Sequence, residues 1–399
     1  MISTEISKRV GFSLIFTPGN TNRKKNWNSS VQIEDIPVFD YRTIVRKKNT
    51  SGSITDDRKK SIWFQRTIKW MNTFPFSILI AEGGPVYLFH VVTQGNKAIK
   101  KNNITHIYSA FRPFTDHFAA FILKTLNPRV VWVADFRDLL FDPYFNKLYF
   151  KNAHRQLFKS IFKRADIITT VSDGLAQQLR DYNKNVITLK NGIINFPDHL
   201  NPAPCPFFTI AYTGSMYLDK KNALPLFMAL KELMDEGKIG KEKARVIYAG
   251  KDSFYWIDMA AKFDFSSILD DKGNLPSAEA MLIQKEACIN VLLTVSSKVQ
   301  TGILTGKMIE YFEAGRPVLA IVVNQVDPEL DYLLNEINIG KSYSDQPNQV
   351  PGIKDFIYDE YRQWEKTGTN RQAVDIELLK SKYSTEVTMR PLYEKLGLS

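Results

Sequence analysis

The sequence is poor in cysteine and has no long hydrophobic run. Of its 399 residues only Cys205 and Cys288 are cysteines, too few for a disulfide framework or a metal-binding spacing. Such sparse use fits a reducing compartment, so we expect a cytoplasmic protein. No apolar stretch approaches the roughly 18 residues of a membrane-spanning helix, and the run VLAIVV is six residues long. No basic segment followed by an apolar one marks the N-terminus for secretion.

Two common phosphate-binding motifs are also missing. Neither Gly-x-Gly-x-x-Gly nor Gly-x-x-x-x-Gly-Lys-Ser/Thr occurs, which argues against a dinucleotide-binding fingerprint and a P-loop. The chain has no recognisable nucleic-acid-binding motif and no aromatic platform among its basic residues, so we expect no nucleic-acid partner.

Positive charge is abundant, with a formal net charge of +11. Much of it lies in short basic runs within about the first hundred residues. An anionic lipid surface or a phosphorylated substrate would fit such charge, and so would an ordinary solvated surface. The runs are Arg23-Lys24-Lys25, Arg46-Lys47-Lys48, Arg58-Lys59-Lys60 and Lys100-Lys101.

Short apolar segments alternate with longer segments of helical periodicity. This alternation, with Val- and Ile-rich strands, predicts an α/β fold with doubly wound parallel sheets. The predicted strands are 11–18, 105–110, 130–136, 166–172, 186–192, 208–214, 245–250, 288–296 and 317–322. The predicted helices include 117–126, 155–165, 174–182, 223–236 and 277–287.

A proline-rich break divides the alternation into two domains. The segment IINFPDHLNPAPCP contains four prolines and little periodicity, which is typical of a linker. We therefore predict a first domain over 1–195, a linker over 196–206, a second domain over 207–352 and a helical segment over 353–399. The first helix of the first domain could not be placed in the polar stretch 20–60.

Polar and glycine residues directly follow strands of the predicted second domain. Because parallel strands end at one edge of a sheet, we expect these residues to meet at a ligand-binding edge. Glycine permits close backbone approach, and a helix start offers free N–H groups, so phosphate is the natural ligand. Taken alone, each glycine is more typical of a plain turn. The residues are Gly214, Ser215, Gly250, Lys251, Thr305, Gly306 and Lys307.

The segment LTGKMIEYFEAGRPVLAI, residues 304–321, predicts a helix that Gly315 ends, followed by a buried strand. Lys307, Glu310 and Glu313 lie three residues apart along one stripe of this helix, away from its apolar face. The stripe is either a solvated surface with a weak ion pair or the edge of a ligand site.

Four segments between about residues 105 and 340 carry a family pattern in their order and spacing. In these segments the chain resembles a GT-B glycosyltransferase of family 4, the large retaining family that uses nucleotide-sugar donors. The Asp-Phe-Arg-Asp segment is typical of a branch common in bacterial surface-polysaccharide pathways. The segments are VVWVADFRDLLFDPY (130–144), RADIITTVSDGLAQQL (164–179) with VITLKNGI (186–193), FTIAYTGSMYLDKKN (208–222) and 304–321.

The resemblance implies two Rossmann-like domains facing a central cleft, with C-terminal helices that pack back on the first domain. It implies a donor, a UDP-sugar or GDP-sugar, held mainly by the second domain and an acceptor held mainly by the first. It implies no metal and no other cofactor. Basic side chains and a helix N-terminus would instead stabilise the leaving diphosphate.

Carried over position by position, the resemblance assigns roles around the predicted helix start. Lys220 matches the lysine that holds the donor diphosphate, and Gly306 and Lys307 lie where backbone amides touch phosphate. Glu310 matches the second of two family glutamates, which binds the ribose hydroxyls because a carboxylate accepts two hydrogen bonds at once. Glu313 is then a structural bystander. The expected donor-binding residues are Gly19, Gly214, Ser215, Lys220, Gly250, Lys251, Leu275, Thr305, Gly306, Lys307 and Glu310.

Two positions depart from the family pattern. The first family glutamate corresponds to Gly302, which leaves recognition of the donor sugar open. The family arginine after the first strand of the second domain corresponds to Ser215, which leaves more of the phosphate contact to Lys220 or Lys307. Both departures also leave open a degenerate member with weak activity.

On the first domain, Asp135, Arg137 and Asp138 end a predicted strand. We predict that all three contact the acceptor and that Asp135, with Lys220 and Glu310, is catalytic. A carboxylate at Asp135 would stabilise an oxocarbenium-like transition state. The alternative is a structural Arg137–Asp138 pair that closes the strand end.

Three further residues are assigned to ligands by position. His117 is expected to contact the acceptor as a base or a phosphate ligand, the alternative being a surface histidine at a helix start. Gly19 is expected to line the cleft, as the family's first loop does, and Arg23 to touch the diphosphate.

The sequence thus predicts a retaining, metal-independent glycosyltransferase of cell-surface polysaccharide synthesis. Its acceptor would be a glycan or a polyprenyl-diphosphate-linked glycan, reached from the cytoplasm with peripheral contact to the anionic inner face of the plasma membrane. Two alternatives remain: a GT-B-like sugar-nucleotide epimerase, and a non-catalytic basic binding protein.

Overall fold

The chain folds into two compact units in a computed structural model. The first unit comprises Met1–Val171, Leu175–Leu189 and Arg390–Ser399, and the second comprises Ser172–Gly174 and Lys190–Met389. The structure describes residues 6, 9–10, 13–18, 31–36, 66, 69–70, 73–76, 78, 84–111, 114–138, 149–193, 196, 202–216, 223–296, 301–302 and 306–398.

The first unit contains two parallel sheets. Two strands pair in the smaller sheet, β1 (Ser13–Pro18) and β2 (Val31–Ile36). Four strands form the larger sheet in chain order, and these are β3 (His106–Phe111), β4 (Val131–Phe136), β5 (Ile167–Thr170) and β6 (Val186–Thr188). The helices are α1 (Gly84–Asn102), α2 (Phe114–Leu126), α3 (Lys151–Phe162) and α4 (Asp173–Leu179).

Large aromatic side chains form the main core of this unit. Trp132 and Phe136 on β4 and Phe162 at the end of α3 are fully buried. Continuous apolar strands are expected where helices cover a parallel sheet, and β5 is buried along its whole length.

The second unit is built around a six-stranded parallel sheet with the order β12-β11-β10-β7-β8-β9. Its strands are β7 (Phe208–Thr213), β8 (Ala244–Ala249), β9 (Leu269–Asp271), β10 (Ile289–Val295), β11 (Val318–Val323) and β12 (Gly340–Ser344). The order reverses between β7 and β10, which is the switch point where ligands bind in open α/β sheets.

Helices cover this sheet, and two of them show which residues begin and end a helix. Asp327 caps α9 by accepting hydrogen bonds from the N–H groups of Glu329 and Leu330. Gly315 ends α8 in the left-handed region, with φ of 67°. The helices are α5 (Leu224–Asp235), α6 (Ser253–Lys262), α7 (Ser277–Glu286), α8 (Lys307–Ala314), α9 (Pro328–Glu336), α10 (Val350–Thr367), α11 (Ile376–Tyr383) and α12 (Thr385–Leu396).

The C-terminal helices mostly complete the second unit. Ile353, Ile357 and Tyr361 on α10 are buried in the same core as β7. Only Arg390–Ser399, from within α12 onward, belong to the first unit. The predicted helical segment 353–399 thus belongs to the second unit as far as Met389, and its packing on the first domain stays a prediction.

No helix within the described ranges combines the length and the apolar character needed to cross a bilayer.

Candidate functional site

Two glycine turns meet at the carboxyl edge of the second sheet. The N–H of Gly214, after β7, donates to the carbonyl of Ala249 at the end of β8 across 2.6 Å. A Cβ on Gly250 would lie 2.2 Å from the carbonyl oxygen of Gly214. A side chain at residue 250 would therefore push the two turns apart.

Lys307, the first residue of α8, lies directly over Gly214. A Cβ on Gly214 would come within 2.6 Å of the Lys307 Nζ atom, and the φ of Gly214 is +110°. The ammonium group donates to the Tyr212 hydroxyl across 3.0 Å and lies 4.1 Å from the centroid of the Tyr212 ring. Glycine at 214 thus leaves the space that the lysine head group occupies, and Tyr212 holds it there through a cation–π contact.

Burial makes Lys307 unusually easy to deprotonate. Removal from water disfavours the charged form and lowers the pKa of Lys307 to about 8, although the Glu310 carboxylate acts in the opposite direction. The charge of this lysine therefore changes within a pH range that is simple to test.

Glu310 lies one turn further along α8 and is exposed. Its Oε2 atom accepts a hydrogen bond of 3.0 Å from Nε2 of Gln284, on α7. The same Nε2 atom donates to the Thr213 hydroxyl across 2.7 Å, and Gln284 is 1% exposed. A buried amide thus ties the Glu310 carboxylate to the end of β7.

The turns after β7 and β8 are also joined through Asp252. Its carboxylate accepts from the N–H of Met216 across 2.7 Å, and its own N–H donates to the Tyr248 hydroxyl across 2.6 Å. Beneath the turns, the rings of Tyr212, Tyr248 and Trp256 stack on one another. The floor of the edge is therefore aromatic.

The structure brings several predicted donor-side residues together. Gly214, Gly250 and Lys307 share contacts at this edge, and Glu310 reaches it through Gln284. Ser215 follows Gly214 and is exposed, with its carbonyl accepting from Tyr212 across 2.7 Å. Gly306 precedes α8, Lys251 is exposed after β8, and Leu275 is half-buried between β9 and α7. Gly19, Arg23, Lys220 and Thr305 lie outside the described residues, and their roles stay predictions.

Position 302 requires glycine in this chain. Its φ is +71°, and a Cβ there would lie 2.2 Å from Oε2 of Glu329. Its N–H donates to Oδ2 of Asp327 across 2.7 Å. The carboxylate beside this position therefore belongs to Glu329 and not to residue 302.

In the first unit, Asp135 at the end of β4 is 2% exposed and fully engaged. One carboxylate oxygen accepts from the Thr169 hydroxyl across 2.7 Å, and the other pairs with Nε of Arg137 at 2.7 Å. Arg137 thus pairs with Asp135 through Nε, and its alternative pairing with Asp138 stays a prediction. Burial lowers the pKa of Arg137, but Asp135 and Tyr108 outweigh it and raise that pKa overall.

His117 lies in the core of the first unit and is 0% exposed. Its ring packs against Phe136 and Phe162 with centroids 4.6 and 5.3 Å apart, and Nδ1 hydrogen-bonds the Ser109 hydroxyl at 2.7 Å. Burial lowers the pKa of His117 to about 3. The predicted acceptor contact does not fit a ring so buried and so weakly basic, and the alternative of a surface histidine is wrong as well.

Sequence reasoning missed Gln284 and Tyr212. Gln284 stands in an ordinary helical segment, and nothing in its spacing marks it. Tyr212 carried a usable signal, because residues two apart on a strand share one face, which places its ring beside Gly214. The pairing of Lys307 with that ring needed the tertiary structure.

Comparison with protein-family models and with curated proteins finds no match. Among solved structures, the apo form of OtsA is similar over 99% of this chain and 95% of its own, with 11% identity and a TM-score of 0.58. A UDP-forming α,α-trehalose-phosphate synthase from Burkholderia xenovorans covers 96% and 93%, with 10% identity and a TM-score of 0.57. A sucrose-phosphate synthase from Thermosynechococcus elongatus covers 96% and 88%, with 11% identity and a TM-score of 0.53.

At such low sequence identity, structural similarity establishes a shared fold and nothing finer. The chain has the GT-B fold with two Rossmann-like domains, as predicted, and its structural neighbours are GT-B glycosyltransferases. Membership of family 4 stays a prediction.

Proposed function

We propose that this chain is a retaining glycosyltransferase of family 4 that uses a UDP-sugar or GDP-sugar. It transfers the sugar to a hydroxyl of a glycan or polyprenyl-diphosphate-linked glycan in cell-surface polysaccharide synthesis. The observation that carries the proposal is the arrangement on α8, where Lys307 lies over Gly214 and Glu310 follows one turn later. The GT-B fold supports it.

In this proposal the donor diphosphate binds at the start of α8. The Lys307 ammonium and the N–H groups of the helix start attract the phosphates, and they stabilise the charge that develops as the diphosphate leaves. Glu310 accepts hydrogen bonds from the two ribose hydroxyls. Lys220 adds a second cation, and no metal is used.

In this proposal the acceptor binds at the end of β4. Arg137, 26% exposed, is the more accessible member of its pair with Asp135. Arg137 therefore suits contact with a phosphorylated acceptor, and Asp135 orients it. The enzyme would act in the cytoplasm with peripheral contact to the anionic inner face of the plasma membrane.

Calorimetric titration of UDP and GDP tests the donor site. The wild type should bind one of them, and Glu310→Gln should bind it roughly tenfold more weakly or worse, since a lost charge-assisted hydrogen bond costs about 1.5–3 kcal/mol. Glu313→Gln makes the same chemical change three residues along α8 and should leave affinity unchanged.

The remaining outcomes separate the alternatives. Equal losses in both glutamate variants would exclude Glu310 as the ribose ligand. Release of an epimerised sugar without acceptor would indicate an epimerase. No nucleotide binding, alone or with a lipid-diphosphate glycan present, would favour a non-catalytic binding protein.

A further inference from the structure

The two cysteines of the chain, far apart in sequence, lie in contact inside the second unit. Their sulfur atoms are 3.5 Å apart, and the side chains are 7% and 3% exposed for Cys205 and Cys288. Cys205 precedes β7 and Cys288 precedes the adjacent strand β10. The pair thus lies at the amino edge of the sheet, opposite the candidate donor site.

Both backbones at this pair are anchored. The Cys288 N–H donates to the Thr209 carbonyl across 2.9 Å, and the Cys205 N–H donates to the Gly368 carbonyl across 2.8 Å. The Trp364 indole N–H holds the Cys205 carbonyl across 2.8 Å. With both backbones held, rotation of the two side chains has to bring the sulfurs from 3.5 Å to the ~2.05 Å of a disulfide bond.

The two thiols differ in acidity. The thiol of Cys288 donates a hydrogen bond to the sulfur of Cys205, which lowers the pKa of Cys205, and the nearby Arg316 charge acts in the same direction. The same contact, with burial, raises the pKa of Cys288. One sulfur is thus the more nucleophilic, and the other supplies a proton beside it.

We propose that Cys205 and Cys288 form a reversible intramolecular disulfide when the protein meets a small peroxide. The Cys205 thiolate attacks hydrogen peroxide, an S–O bond forms, the O–O bond breaks and the departing hydroxide takes up a proton to become water. The Cys288 sulfur then attacks Cys205, an S–S bond forms, and the S–O bond breaks. The leaving hydroxide takes the Cys288 proton, so that two thiols and one peroxide give one disulfide and two waters.

Titration of the reduced full chain with hydrogen peroxide tests this proposal. Because the chain has only two cysteines, the thiol count after denaturation should fall from two to zero at about one equivalent of peroxide. The intact mass should fall by two hydrogen atoms, and a non-reducing peptide map should join the peptides of residues 205 and 288. The melting temperature of the oxidised form should rise by about 5 °C or more, reversibly with dithiothreitol, because the crosslink closes a long loop.

Two single variants test the roles of the cysteines. Cys288→Ser should accumulate a dimedone-reactive sulfenic acid at Cys205, whereas Cys205→Ser should react at least tenfold more slowly. Persistence of both thiols in the wild type, addition of oxygen without a disulfide, or a disulfide between two chains would overturn the proposal. The wild-type measurement decides this even where a variant fails to fold.

Discussion

The charge on Lys307 is the residue-scale property that controls the proposed phosphate contact. Its pKa of about 8 means that the ammonium form dominates below pH 8 and is lost above it. Nucleotide phosphates are already fully ionised above pH 7.5, since their last pKa is about 6. The ring N–H groups of uracil and guanine ionise only at more alkaline pH, so a change in affinity between pH 7.5 and 8.5 should report the lysine.

We expect UDP or GDP affinity to fall about threefold between pH 7.5 and 8.5, as the protonated fraction of Lys307 falls. Lys307→Arg keeps its charge throughout this range and should give a flat profile. Lys251→Arg, the matched change at an exposed lysine of the same sheet edge, should retain the wild-type slope. An identical slope in wild type and Lys307→Arg would show that another group titrates.

Gln284 is the second residue-scale determinant, because its single amide nitrogen bridges Thr213 and Glu310. We expect Gln284→Met to weaken nucleotide binding several-fold, since Glu310 would lose its orientation. In the Glu310→Gln background the same change should cost less, giving a coupling energy of about 0.5–3 kcal/mol. The cycle with Glu313→Gln should be additive, and additivity with Glu310→Gln would contradict the positioning role.

At the element scale, the two glycines that flank α8 have different roles. Gly306, before the helix, has φ of −57°, and a Cβ there would meet nothing within 4 Å. Gly315, after it, has φ of 67°, and its N–H donates to the carbonyl of Tyr311. The backbone conformation at residue 315 favours glycine. The conformation at residue 306 does not, so we infer that the glycine there serves a ligand.

Alanine at each glycine should therefore separate stability from binding. Gly315→Ala should lower the free energy of unfolding by about 1–2 kcal/mol, because an L-residue is strained in the left-handed region. Gly306→Ala should leave stability unchanged or slightly higher but weaken nucleotide affinity, because its methyl group stands where phosphate would approach. Urea unfolding and calorimetry of both variants check this, and full affinity in Gly306→Ala would remove phosphate from the helix start.

Helix α1 shows why some elements escaped prediction. It contains Gly95 and two adjacent valines, which have low helix propensity. A Cβ on Gly95 would lie 2.9 Å from Leu123 on α2, so the glycine is there to let two helices approach closely. Such tertiary packing overrides local preference, whereas β4 and β11, continuous apolar runs bounded by turn residues, were predicted within a residue or two.

At the scale of the whole molecule, the alternation of strands and helices predicted the fold, since two α/β domains follow from the apolar runs and their spacing. The sequence also predicted part of the candidate donor site, because glycines directly after strands mark this edge of the sheet. The contacts of Lys307 and Gln284 did not follow, since each joins elements distant in sequence. The burial of His117 was missed for the same reason, as its aromatic neighbours come from three other elements.

That buried histidine should affect the acid stability of the whole protein. The pKa of His117 is about 3 when folded, and an unfolded histidine titrates near 6.5. Below pH 6.5 the unfolded chain therefore binds a proton that the folded chain refuses, so stability falls as pH drops from 6.5 toward 3. Between pH 7 and 5 this linkage amounts to about 2 kcal/mol.

His117→Gln removes the titrating ring. Between pH 7 and 5 the free energy of unfolding of this variant should therefore fall by about 2 kcal/mol less than that of the wild type. His90→Gln, which changes a histidine whose Nδ1 contacts the Val86 carbonyl of its own helix, should keep the wild-type slope. Urea unfolding at pH 5, 6 and 7 gives all three slopes. If wild type and His117→Gln have parallel slopes, His117 is charged in the folded protein, and its placement in the aromatic core is wrong.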